Sequence, residues 1–297
     1  MTRTLAFIGA LATVLVTLPA HGQEEAAEQP SDPRTTIVVQ ADREEEAIRN
    51  FIGEVAAAPS GVNLARWGDE ICVGAFNMAP DYAQALIDRV SLVGAAIGVQ
   101  PGEPGCRPNV LIMATEDGGA LARRLVADHP RTFQPAGTDN TNLGRKALKR
   151  FQADGAPVRW WLVSQTVGAD TGMPVRRGDS VRVRTASRLR QTVREDISHV
   201  LVILDVNQIG SIGFGSLSDY VAMVVMAQVD AKADTREYST ILNLFAKRSG
   251  DRTDRLTQWD LDYLTALYAM DGDAATARLE RGQLARSMLE QRKYVGQ

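Results

Sequence analysis

The sequence predicts an α/β (α+β) fold, a mixed twisted sheet packed with helices in a single globular domain. Residues 110–114 (VLIMA) form a fully apolar run, the mark of a strand buried on both faces. Residues 200–206 (VLVILDV) carry the strongest strand signal in the chain. Around them stand helices of two kinds. One, at 81–99, is amphipathic, with Ala85, Leu86, Val90, Val93 and Ile97 at helical spacing. The other, at 217–229, is apolar nearly all round and belongs in a core. The 297 residues are 44% apolar and 23% charged, a composition that suits a globular protein of one large domain or two small ones.

Residues 1–22 read as a signal peptide. Arg3 gives the positive start, residues 5–18 an apolar stretch too short to span a bilayer comfortably, and Ala20-His21-Gly22 a small-x-small cleavage signal. No later run of eighteen apolar residues follows, so no transmembrane segment is expected after cleavage. Residues 23–43 are expected to be a disordered or extended leader. Their first part is acidic and carries Pro30 and Pro33, and residues 35–41 (TTIVVQA) form a short β-type stretch. The folded domain is then expected over residues 44–297.

Along that domain, residues 44–57 look helical, with Ala47, Ile48, Phe51, Ile52 and Val55 on one face, and the globular core is expected from near Leu64. Residues 71–76 form a candidate strand. Asp81 can cap the helix at 81–99. Residues 101–108 are a turn-rich loop, and 119–129 a short helix. Residues 134–145 read as a loop and 158–165 (VRWWLVSQ) as a strand. There Trp160 and Trp161 point to opposite faces. Residues 181–184 (VRVR) alternate and suit an edge hairpin. A glycine loop at 209–216 precedes the apolar helix. After a turn at 239–245, Thr257 opens a helix with Asp260 three residues on, a capping pair for the first backbone amides. A more polar helix (274–292) ends the chain.

Cys72 and Cys106 are the two cysteines of the sequence. Export to an oxidising compartment favours a disulfide between them. A catalytic thiol would need a histidine base, and beyond residue 22 only His129 and His199 remain.

Residues 217–268 carry a motif pattern of their own. The buried helix is followed by Tyr238-Ser-Thr-Ile-Leu-Asn243, then by Leu256-Thr-Gln-Trp-Asp260 with Leu264, Leu267 and Tyr268. This order resembles a metzincin-type zincin domain, whose active helix is followed by a turn beneath the metal and an L-T-x-x-D…L-x-x-L-Y helix. The resemblance places residues 200–206 where the family has its edge strand. It covers residues 64–268 by element order, with matching residues in the last third. The family helix carries H-E-x-x-H; this one has no histidine. Asp219 and Tyr220 begin the two possible frames. With Tyr220 at the first ligand, Val221 takes the place of the general base, Val224 the second ligand and Asp230 the third. Neither frame supplies two ligands and a base, so the resemblance implies a degenerate zincin that binds rather than cuts. The chain is also similar to a group of exported alphaproteobacterial proteins through residues 64–67, 71–74, 104–112 and 257–268, which implies no activity.

Other candidate chemistry is weaker. Residues 37–41 resemble the start of TonB-dependent receptor plugs, which implies strand addition to a partner; an edge strand or linker accounts for them as well. Arg176, Arg177, Arg182, Arg184, Arg188, Arg190 and Arg194 form a basic stretch that can contact an anionic partner or can simply face water. The net charge of −3 gives no general attraction to nucleic acid. No catalytic triad, phosphate loop or cofactor motif stands in the chain, so no cofactor and no bound metal are expected. The expected function is that of an exported protein, periplasmic or secreted, which binds an envelope protein, a peptide or a polyanion without catalysis. The expected contacts are the arginine stretch and the cleft edge at 200–206. The alternative is a hydrolase of another mechanism, using Asp219, Asp230 or Asp205 with Tyr220.

Overall fold

The computed structural model describes residues 33–59, 61–68, 70–133, 140–153, 155–176, 178–181, 188–247 and 252–295. The chain falls into two units, residues 1–40 and 41–297. The described part of the first is the opening of helix α1 (Pro33–Val55). The second holds the rest of that helix and every later element. Residues 35–41 are therefore helical rather than extended. Proline suits the opening of a helix. A helix also satisfies its own amides, whereas an extended segment needs a partner strand. Residues 23–32 of the expected leader lie outside the described residues.

The chain proceeds through β1 (Glu70–Ile71), β2 (Val73–Phe76), α2 (Pro80–Ala96), β3 (Gln100–Pro101), β4 (Val110–Thr115), α3 (Gly118–Asp128) and α4 (Pro130–Phe133). It continues with β5 (Asn140–Thr141), α5 (Gly144–Ala153), β6 (Val158–Gly168), β7 (Val193–Asp205), α6 (Val206–Ile209) and α7 (Phe214–Met226). A 3-10 turn at Ile241–Asn243 leads to α8 (Gln258–Ala269) and α9 (Ala277–Val295). The main sheet has the order β2-β4-β7-β6-β5. Strands β2, β4 and β7 run parallel, while β6 is antiparallel to β7 and β5 antiparallel to β6. Strands β1 and β3 form a separate parallel pair.

The alternation of side chains along each strand divides the interior in two. Val110, Ile112, Val158, Leu162, Val200, Val202 and Leu204 face the larger core, together with residues of α1, α2, α7, α8 and α9. Trp161, Val163, Leu201 and Ile203 face the smaller core beneath α3, α4 and α5. This is why the runs at 110–114 and 200–206 are apolar at every step: both faces of their strands are covered. The two tryptophans obey the same rule. Trp161 packs with Phe133 and Phe151, whereas Trp160 meets Tyr220 of α7 on the other side.

Helix α7 is buried at every residue from Leu217 to Met226, as an all-round apolar helix requires. Helix α8 begins with the expected capping box: Thr257 and Asp260 bond each other's backbone N–H groups. Asp260 also receives Ile241 N at 2.9 Å and the Thr240 hydroxyl, so the helix start is tied to the polar turn before it. Cys72 and Cys106 are joined in a disulfide.

Several expectations are corrected. The core takes in Ile48, Phe51, Ile52 and Val55 of α1 and so starts well before Leu64. The α2 N-cap is Ala79, with Pro80 opening the helix; Asp81 lies in the first turn, where it favours the dipole without capping. The strand holding 200–206 is not an edge strand. Strand β7 pairs on both sides, with β4 and β6. A run apolar on both faces is better satisfied at the centre of a sheet than at its rim. The hairpin expected at 181–184 falls largely outside the described residues. Helix α5 stands where no element was expected, and Ala147, Leu148 and Phe151 form its buried stripe.

Candidate functional site

The helix positions that the zincin resemblance singles out do not assemble a reactive centre. Asp219 is buried and accepts the Arg89 Nε–H on one oxygen and Leu256 N, at 2.8 Å, on the other. It fastens α7 to α2 and to the approach of α8. Tyr220 packs between Trp160 and Phe245, and burial pushes its phenol well above the usual range. Val221 and Val224 are completely buried. Asp230 lies beyond the end of α7, half-buried, with its carboxylate accepting Lys232 N at 2.9 Å. His199 lies on the sheet face opposite α7, and burial lowers its imidazole pKa. His129 is the exposed C-cap of α3. Among the described residues no group of three His, Cys, Asp or Glu side chains is placed to hold a metal. Asp205 caps α6 through Gln208 N and accepts Gly118 N at the head of α3, so its role is to join two elements at the end of β7.

Among the described residues, the arginines of the 176–194 stretch stand in different settings. Arg190 pairs with Asp271 and Asp273. Arg194 grips Asp196 through two bonds, at 2.8 and 3.1 Å, and donates to Ala169 O. Arg176 and Arg188 are exposed. Arg177, Arg182 and Arg184 lie outside the described residues. The Arg194–Asp196 pair belongs to a polar knot in the interior. Arg66 forms a parallel bridge to Asp196 in β7 and sends its guanidinium to Leu267 O. The neighbouring Glu195 accepts the Thr166 and Ser164 hydroxyls, while burial raises its carboxyl pKa.

The open feature is the outer side of β6. Strand β5 pairs with β6 only at Ser164 and Gln165. Among the described residues no strand covers the outer side of Val158, Trp160 and Leu162. Hydrogen-bond parity decides which backbone groups face out. Asp205 N donates to Pro157 O, and the register pairs Val158 with Leu204. Residues 157, 159 and 161 therefore bond β7, and residues 158, 160 and 162 direct N–H and C=O away from it. Val200 N donates to Asn109 O on the far side of β7, as the same parity requires. This edge lies in a cleft. Leu143, Ala147 and Arg150 form one wall and residues 228–231 the other, around a pocket of about 70 Å³. The second wall is anchored: Trp160 Nε1 donates to Val229 O at 3.3 Å, and Val229 bridges Ala56 of the chain following α1.

Residues 200–206, expected to form a cleft edge, stand instead inside the sheet, paired on both sides. The tryptophan pair marked β6 as a strand, but only the shortness of its neighbour β5 leaves the stretch 158–162 as an edge. No protein-family model matches this chain, and no curated protein or solved structure matches it.

Proposed function

We propose that this chain is an exported, non-catalytic binding protein on a zincin-like scaffold, and that it takes an extended peptide segment of an envelope partner by strand addition to β6. The observation that carries the proposal is the outer side of Val158, Trp160 and Leu162, which no strand among the described residues covers, in its walled cleft. A bare sheet edge offers main-chain hydrogen bonds to any extended segment, while pockets beside it select alternate side chains. The order of strand, buried helix, polar turn and capped helix supports the scaffold reading. The apolar Val221 and Val224, where the resemblance would require a base and a ligand, support binding without zinc chemistry. The disulfide is compatible with export, and no helix among the described residues is long and apolar enough to cross a membrane.

The test uses a labelled peptide of alternating threonine and valine, blocked at both ends, with binding read by fluorescence anisotropy. Methylating the backbone nitrogens of one alternating set is expected to abolish binding, and methylating the other set to leave it intact. Leu162→Pro removes an outward N–H and leaves the β7 ladder intact, at the cost of a buried side chain; in protein shown to be folded by circular dichroism it is expected to lose binding at least about tenfold. Failure of the unmethylated peptide to bind, or equal binding of both methylated forms, would overturn the proposal.

A further inference from the structure

We infer that the segment β6 receives is acidic on alternate residues, with its carboxylates directed at α5 and apolar side chains between them. This rests on strand addition at β6. An added strand presents successive side chains to opposite faces, so one set meets α5 and the other meets Trp160 and residues 228–231.

The two walls differ in charge. Helix α5 reads GRKALKRFQA, with Arg145, Lys146, Lys149 and Arg150 and no acidic residue. No carboxylate among the described residues pairs with any of these four. Arg150 lines the pocket itself, and Lys146 stands one turn before it on the same stripe. The neighbouring layer extends the field. Arg123 of α3 is exposed and reaches across to Gln152 O, and Arg131 of α4 is exposed as well. The one described acid of α3 and α4, Asp128, is matched by Arg124. A chain of net charge −3 thus concentrates positive charge, without a carboxylate partner among the described residues, on one wall of one cleft. A guanidinium beside a half-closed sheet edge suits a carboxylate, because charge-assisted bonds strengthen where water is partly excluded.

The opposite wall excludes the same charge. Asp230 stands there with its own carboxylate and would repel another. Trp160 and Val229 offer apolar surface instead. A space of about 70 Å³ suits a single small apolar side chain. The two walls together therefore specify an acid–apolar alternation.

Three blocked peptides test the inference on the whole chain: alternating glutamate and valine, threonine and valine, and lysine and valine. The glutamate peptide is expected to bind at least about tenfold more tightly than the threonine peptide at low salt, with the advantage shrinking as the Debye length falls. Joint replacement Lys146→Glu and Arg150→Glu is expected to reverse the order in favour of the lysine peptide, with the far-ultraviolet circular dichroism unchanged. Equal binding of glutamate and threonine peptides would overturn the acidic reading and leave strand addition standing. Loss of all three would overturn both. Phosphatidylglycerol vesicles form the last arm. If they bind through Lys146 and Arg150 while the glutamate peptide does not, the basic wall serves an anionic surface and the inference is wrong.

Discussion

Replacing Glu280 by glutamine isolates a pH-dependent part of this protein's stability. Glu280 stands in the first turn of α9 and is 1% exposed. One carboxyl oxygen accepts Leu64 N at 2.8 Å; the other is buried without a hydrogen-bond partner. Burial pushes the carboxyl up to about 7, against the smaller opposing pull of Leu64 N–H, Arg66 and Arg281. The ordinary glutamate value is 4.5. Between these values the folded chain keeps a proton that the unfolded chain has released. Stability is therefore fully present below the lower value and falls as pH rises through the upper one. At roughly 1.4 kcal/mol per pH unit, the window is worth about 3 kcal/mol. Glutamine stays neutral and still offers an oxygen to Leu64 N. The two proteins are expected to be equally stable at about pH 4.5, with the variant ahead by about 3 kcal/mol at about pH 8. Urea unfolding across that range measures the difference. Groups common to both proteins, such as Glu195 and His199, cancel when the curves are subtracted. A difference that does not change with pH would refute the reasoning. So would a variant less stable in alkali, because that would make the carboxylate a favourable partner of Arg66 and Arg281.

Three further outcomes are expected. Cys72→Ala with Cys106→Ala opens a sequence separation of 34 residues and is expected to lower the unfolding free energy by about 4 kcal/mol in the loop-entropy account, measured by urea unfolding. In Gly68→Ala the new methyl would overlap the Asp196 carboxylate that Arg194 holds; a loss of about 2 kcal/mol, seen as a lower melting temperature, is expected from such overpacking. Asp260→Ala removes the acceptor of Ile241 N, Thr257 N and two threonine hydroxyls. The cap and its buried bonds together are worth about 3 kcal/mol, and faster hydrogen exchange at the start of α8 should accompany the loss.

What could be read in the sequence depends on the range of the interactions concerned. The α8 cap needs only Thr257 and Asp260, three residues apart, and it was legible. The apolar stripe of α2 and the all-round apolar character of α7 lie within single elements and were legible too. The cysteine pair was legible by count, since the sequence holds only two. In the arginine stretch, the acids that answer Arg190 were not legible, because Asp271 and Asp273 come from far along the chain. Helix α5 carried a signal in Ala147, Leu148 and Phe151, too short to stand out beside its charges. The stretch at 35–41 misled for the opposite reason: its β-branched residues favour strands, yet the chain there continues into a helix.

The sequence by itself determined that this protein has a mixed α/β core, that α7 is interior, and that residues 217–230 contain no histidine. Each of these depends on which residue types stand at short, fixed spacings. Only the tertiary structure decided that β7 is central and that the short β5 leaves residues 158–162 of β6 without a strand partner on their outer side among the described residues. Edge and centre are properties of strand order, and strand order is set by pairings between segments distant in sequence. Strand β4 separates from β7 by more than a whole helical layer of chain, yet pairs with it residue by residue from Val110 to Thr115. No local pattern encodes that choice, because a strand covered on both faces has the same apolar sequence whichever neighbours it pairs with.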